Sequence, residues 1–131
     1  MPHINIFAVL AASISSFLLG GLWYSRLLFG AAWQRAAADT CKPGEGHPAK
    51  VFGISFFFAL VAALAYSILM PAAPSAVAAI SQGVLAGAGL VAANFGINYQ
   101  FANRSTMMWL IDGGYHTVQF GIYGFIIGLW R

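Results

Sequence analysis

The sequence predicts an all-α membrane protein in which four transmembrane helices form a compact bundle of two helical hairpins. Charged residues make up 7% of the 131 residues and apolar residues 60%, whereas a soluble domain typically carries about 25% charged residues. The chain contains four apolar runs, each close to the length of about 20 residues with which a helix crosses the hydrocarbon core. They do not alternate polar with apolar residues as barrel strands do. Because backbone in lipid must satisfy its own hydrogen bonds, each run is expected to be helical.

The boundaries of the spans follow from the positions of charges and prolines. The first three spans contain no charged residue, and the fourth contains only Asp112. Pro71 and Pro74 separate the second span from the third, because proline ends helices. Residues 27–38 carry the Leu, Phe and Trp side chains of a short interfacial helix. The prediction is one domain, residues 1–131, with spans over residues 4–25, 51–70, 75–98 and 107–130 and a charged loop over residues 26–50.

The distribution of basic residues predicts the orientation of the spans. The loops 26–50 and 99–106 contain five of the six Lys and Arg residues, and basic loops stay in the cytoplasm. We therefore expect a multi-pass protein of the bacterial cytoplasmic (inner) membrane with both termini in the periplasm. Nucleic acid is not an expected partner, because the basic residues are not gathered on one folded face. The single cysteine, Cys41, excludes a disulfide within the chain.

Small residues at four-residue spacing predict close helix packing in every span. Such residues let transmembrane helices approach closely, and the approaching helix belongs either to the same chain or to another one. The expected partners are therefore the lipid bilayer and either further copies of this chain or a larger membrane complex. The glycines predicted to pack are Gly20 in the first span, Gly83 and Gly87 in the third, and Gly114, Gly121, Gly124 and Gly128 in the fourth.

A polar stripe runs along the fourth predicted span. At about 100° per residue, its members share one face of the helix, and they are Asp112, His116, Gln119 and Tyr123. The short loop 99–106 places the start of this stripe at the same depth as the last turns of the third span, and the first span ends on the same side. We therefore expect a polar cluster of Tyr24, Asn94, Asn98, Asp112 and His116.

Several interpretations of this cluster remain open. Its hydrogen bonds would fix the register of the helices, or it would form a proton or solute site. Asp112 and His116 lie one turn apart and would supply two metal ligands, but no third or fourth ligand is visible. Alternatively, His116 would contact a cofactor or pigment. The sequence shows no nucleophile elbow, paired carboxylates or phosphate-binding loop, so we expect no enzymatic activity, no metal and no cofactor.

Two blocks of sequence resemble a known family. The first block is Gly21-Leu22-Trp23-Tyr24-Ser25, followed by Leu28-Phe29-Gly30 and Trp33. The second block is Asn98-Tyr99, then Gly114-Tyr115-His116 and the closing Gly128-Leu129-Trp130-Arg131. Together they resemble the bacterial membrane family catalogued as domain of unknown function 1761, over almost the whole chain. The resemblance implies a small four-helix membrane protein and no assigned activity.

The resemblance also bears on individual residues. Asp112 stands where the family more usually has asparagine, and Arg26 stands where it usually has proline. The resemblance therefore implies that an acid at position 112 is not a general requirement. The candidate binding or polar-cluster residues are Trp23, Tyr24, Asn94, Asn98, Asp112, Tyr115, His116 and Gln119.

Two functions from different classes are expected. The first is a small integral membrane protein without enzymatic activity, which acts as a structural or accessory subunit and packs against itself or a larger membrane complex. The alternative is an oligomeric transporter or channel for a small solute, an ion or protons, which uses the polar stripe of the third and fourth spans. Small residues in every span favour the first function, and the stripe favours the second.

Overall fold

The computed structural model describes residues 3–38 and 47–130, and all of the regular structure in these ranges is helical. The all-α class is therefore confirmed, and a short helix is present where the sequence predicts one in the long loop. Three of the six charged residues of that loop, and Cys41, fall on residues 39–46, which lie outside the described residues. The elements are α1 Ile6–Trp23, α2 Gly30–Ala37, α3 Pro48–Leu69, α4 Ala76–Ala86, a π-helical segment Gly87–Ala92, α5 Ala93–Phe101 and α6 Thr106–Leu129.

Asparagine and serine side chains start three of the helices. The Asn5 side chain accepts hydrogen bonds from the backbone N–H groups of Phe7 and Ala8, at 3.0 and 3.3 Å. Ser75 caps α4 and Ser105 caps α6, each by accepting a hydrogen bond from the backbone N–H group three residues further on. Such caps satisfy donors that have no partner within the first turn. They fix where α1, α4 and α6 begin.

Residues 76–101 form one rod with the π-helical segment in its middle. A π turn holds more residues than an α turn, so residues beyond it are rotated relative to their positions in a straight α-helix. The segment begins at Gly87, where a Cβ atom would lie 2.6 Å from the carbonyl oxygen of His116. The rod therefore lies against α6 at this point and then presents a different face to it.

Within the described residues, three helices, and not the predicted four, are long and apolar enough by length and composition to cross a membrane: Ile6–Trp23, Pro48–Leu69 and the rod Ala76–Phe101. The fourth predicted span corresponds to α6, which has 24 residues but is too polar in composition to be counted with these three. The stripe lies among protein side chains, because α6 contacts every other helix of the described chain and buries ten residues. Apolar helices thus surround a more polar central one.

Consecutive long helices pack in pairs. The first pair is α1 with α3, the second is α4 with α6, and α1 also packs on α6 and so joins the two pairs. The core between them is built from small side chains such as Ala12 and Ala63, closed by Tyr123 and Ile127 of α6. Larger apolar side chains point outward from every long helix, as Leu85 does with 73% of its surface exposed.

The glycines predicted to pack do so within the chain. Gly83, Gly87, Gly121, Gly124 and Gly128 lie in the interface between the rod and α6, while Gly20 faces Tyr115 and Gly114 faces Trp23. The closest approach is at Gly83, where a Cβ atom would lie 1.9 Å from the carbonyl oxygen of Phe120. The sequence left open whether these glycines contact the same chain or another, and for all seven the contact is internal.

Alanine at Gly83 or Gly124 tests the close contact between α4 and α6. A Cβ atom at Gly124 would lie 2.1 Å from the carbonyl oxygen of Ala79, so the two backbones must separate. Because overpacking costs about 1–3 kcal/mol, we expect each variant to lower the free energy of unfolding in mild detergent by that amount. Gly53→Ala is the control, since its Cβ would meet nothing within 4 Å. Equal loss in all three variants would contradict the contact.

Candidate functional site

The carboxyl group of Asp112, in the second turn of α6, is buried and accepts three hydrogen bonds. Tyr24, which directly follows α1, donates its phenol hydroxyl to Oδ1 at 2.5 Å. The Tyr99 hydroxyl of α5 donates to Oδ2, and so does the Trp33 indole N–H of α2, at 3.3 Å. We call these four residues the Asp112 cluster. Because a buried polar group is costly unless it is hydrogen-bonded, the three donors are what allow an acid to occupy this position.

The Asp112 cluster joins four separate segments at one end of the bundle. Its donors come from the residue after α1, from α2 and from α5, and its acceptor comes from α6. Two further contacts hold the same end together. The Trp23 indole N–H donates to the carbonyl oxygen of Ile111 at 2.9 Å, and the Tyr115 hydroxyl donates to the carbonyl oxygen of Ser16 at 2.8 Å. The arrangement fixes the register of α1 against α6.

His116 belongs to a different network, although it shares the stripe with Asp112. Its Nδ1 lies 2.7 Å from Oε1 of Gln119, and the Gln119 amide donates to the Tyr123 hydroxyl at 2.9 Å. That hydroxyl lies 2.7 Å from Ser16 Oγ and donates to the carbonyl oxygen of Ala59 at 3.3 Å. This series of hydrogen bonds, which we call the His116 network, links α6 to α1 and α3 through the middle of the bundle.

The structure does not bring Asn94 and Asn98 to either network. Both residues are exposed, and the Asn94 side chain donates to the carbonyl oxygen of Leu90 in its own rod. The sequence places both asparagines on the same face as Gly83 and Gly87 only if the helix is α-helical throughout. The π-helical segment lies between them, so the residues beyond it are rotated about the helix axis relative to that expectation. Phe95 takes the expected place instead, and its ring stacks on His116 with centroids 4.9 Å apart.

Sequence reasoning missed two members of the Asp112 cluster, Trp33 and Tyr99. Both lie inside the sequence blocks that carry the family resemblance, which was the available signal. The helix pattern alone does not point to them, because Trp33 lies on a short helix of the long loop and Tyr99 lies after the predicted end of the third span. Only the fold shows that these positions meet at one carboxyl group.

A cavity of about 770 Å³ opens beside the His116 network, between α1, α3 and α6. His116, Gln119, Tyr24 and Tyr115 contribute polar groups to its wall, but most of the wall is apolar. Volumes of this size are typical of small-molecule sites. Among the described residues, no group of three His, Cys, Asp or Glu side chains is placed to hold a metal ion.

Comparison with known families now settles the resemblance. The family model described as protein of unknown function (DUF1761) matches residues 7–128. The chain belongs to this family. Neither the curated proteins nor the solved structures contain a match to the DUF1761 chain. Residues 7–128 include the Asp112 cluster, the His116 network and the cavity, so all three lie within the family region.

Substitution of Asp112 tests whether the Asp112 cluster supports the DUF1761 fold. Asp112→Leu removes the acceptor shared by three donors, and each buried unsatisfied donor costs about 1–3 kcal/mol. We expect this variant to lose about 3 kcal/mol of unfolding free energy in mild detergent. Asp112→Asn keeps one acceptor oxygen and should lose less than half as much.

Asn98→Leu is the matched control, because Asn98 is also polar but is exposed. It should change the unfolding free energy by no more than about 0.5 kcal/mol. If the leucine variants at 112 and 98 are equally stable, the cluster does not hold the helices together.

Proposed function

We propose that the DUF1761 chain is a small integral membrane protein without enzymatic activity, which acts as a structural or accessory component of a membrane assembly. The observation that supports membrane placement is the distribution of polarity. Large apolar side chains are exposed along α1, α3 and the rod, whereas Asp112 and Gln119 are buried against other helices. This inside-out pattern suits lipid, because in hydrocarbon polar groups need protein partners.

The proposal includes α6 as a fourth crossing. Its 24 residues are long enough to span the hydrocarbon core. Its polar side chains find partners on α1, α2, α3 and α5, so its low hydropathy does not prevent it from lying in lipid. In this arrangement three apolar helices shield a fourth one. The inner membrane and the periplasmic termini are proposed on the basis of the basic loops.

The surface that would meet a partner is not the glycine face of α6, because that face is used within the chain. Among the three apolar spans, α3 is the least covered, since 22% of its most apolar 18-residue window is buried, against 28% in each of the other two. A Cβ atom at Gly53 would meet nothing within 4 Å, so the backbone of α3 is open to close approach there. Phe52 and Phe57 are exposed beside it. We therefore propose that association, with itself or a larger complex, uses α3.

The alternative proposal is an oligomeric transporter or channel. The His116 network supports it, because this network carries hydrogen bonds from α6 through Tyr123 to α1 and α3. The remaining polar groups favour it less. Asp112 is enclosed by its own three donors, and Asn94 hydrogen-bonds its own rod. A route through the stripe would therefore require these contacts to open.

Single cysteines placed in a Cys41→Ala background test the membrane placement and the fourth crossing. We introduce Ala72→Cys between α3 and α4, Asn103→Cys between α5 and α6, or Trp130→Cys after α6. With four crossings, an impermeant maleimide added to intact cells should label positions 72 and 130, whereas position 103 should react only after permeabilisation. Labelling of 103 and 130 from the same side would show that α6 does not cross.

Particle mass in nanodiscs tests the association. We expect the wild-type chain to form a particle with more than one copy, or to retain a partner through purification. Gly53→Leu places a bulky group on the open side of α3, and an overpacked contact costs about 1–3 kcal/mol, or about tenfold or more in affinity. Leu85→Ala, on the exposed side of α4, is the control and should associate normally. A wild-type chain that is strictly monomeric and free of partners would contradict the proposal.

A further inference from the structure

The described residues give the cavity between α1, α3 and α6 an uncharged wall. They contribute sixteen residues to it, none of which is Asp, Glu, Lys or Arg. An ionised group transferred into such surroundings without a partner of opposite charge is strongly unfavourable. The cavity therefore suits an uncharged ligand, which excludes a phosphate or carboxylate headgroup as its natural occupant.

Aromatic rings enter the wall of the cavity from all three helices. Tyr115 and Phe120 belong to α6, Phe52 and Phe58 belong to α3, and Phe17 belongs to α1. The Phe17 ring already makes an edge contact with Phe52 across the α1–α3 pair, with centroids 6.4 Å apart. Because edge and offset contacts between rings add to the burial of their surface, a ligand that itself carries a ring gains more here than a plain alkyl chain does.

On α6, one ring nitrogen of the wall is left for a ligand. Since the Gln119 amide N–H donates to Tyr123, Gln119 Oε1 accepts, and the 2.7 Å contact with His116 then requires a proton on Nδ1. The Nε2 atom of this tautomer is a hydrogen-bond acceptor, and it has no partner among the described side chains. The stacked ring of Phe95, 17° from parallel, holds the imidazole in place.

We propose that this cavity binds an uncharged, ring-bearing lipophile whose ring carries a hydroxyl group. The ring lies among the aromatic side chains, and the hydroxyl group donates a hydrogen bond to Nε2 of His116. The apolar tail leaves the open side of the cavity toward lipid, so the inference rests on the proposed membrane placement. A phenol or hydroquinol headgroup on a hydrocarbon tail has the required chemistry.

Three matched probes test the chemistry of the site: para-dodecylphenol, dodecylbenzene and para-dodecylbenzoate. The wild-type chain is placed in phosphatidylcholine nanodiscs, titrated with each probe, and released for native mass spectrometry, which counts the probe molecules bound. We expect one phenol per chain, bound about fivefold more tightly than dodecylbenzene, as one net hydrogen bond predicts. The benzoate should bind more weakly than either uncharged probe.

Two variants distinguish the contribution of the hydrogen bond to His116 from the contribution of the cavity volume. His116→Phe keeps a ring beside Phe95 but removes the hydrogen-bond acceptor. This variant should therefore bind the phenol and dodecylbenzene with about equal affinity. Ala62→Phe fills the wall of the cavity on α3 and should weaken both uncharged probes about tenfold or more. Ala65→Phe, at an exposed position of the same helix outside the cavity wall, is the control and should bind as the wild type does. Circular dichroism verifies that each variant is folded.

Each outcome decides the proposal. Equal binding of phenol and dodecylbenzene by the wild type would show a groove for any apolar chain and would overturn it. Tighter binding of the benzoate, or no binding of any probe, would overturn it as well. A chain that enters nanodiscs but binds nothing leaves the proposed membrane placement standing, whereas a chain that stays dispersed in buffer without lipid or detergent overturns both.

Discussion

The enclosure of the polar face of α6 by apolar helices is the constraint on which the other features depend. Asp112 and Gln119 are buried on this helix, and buried polar groups are tolerated only when they are hydrogen-bonded. The partners of Asp112 directly follow α1 or lie on α2 and α5, and Gln119 is linked through Tyr123 to α1 and α3, which ties these helices to α6. The same enclosure explains why α6 is polar in composition and yet lies at the centre of the bundle.

Close backbone contact makes this enclosure geometrically feasible. Glycine at 83 and 124 lets the carbonyl oxygens of Phe120 and Ala79 approach the facing helix at distances where a side chain would collide. The cavity beside His116 lies on the other side of α6, toward α1 and α3. The helix thus packs tightly on one face and borders an open cavity on the other.

The two polar networks divide the stripe into parts with different properties. Three donors complete the hydrogen bonds of Asp112, which suits a structural role at the end of the bundle. The His116 network instead ends on a cavity wall, where one ring nitrogen has no partner among the side chains that the structure describes. His116, and not the acid, is therefore the group of the stripe that is available to a ligand.

The sequence by itself determined the all-helical class, the family, three apolar spans and the small residues available for close packing, because composition, run length and small-residue spacing are local properties of the chain. It also identified Tyr24, Asp112, His116 and Gln119. Only the tertiary structure decided which of these residues meet. The π-helical segment rotates the rod beyond Gly87, so the asparagines turn outward, and Trp33 approaches Asp112 from a distant loop. Such contacts depend on the rotation and crossing of whole helices, which a pattern of residue types within one helix does not contain.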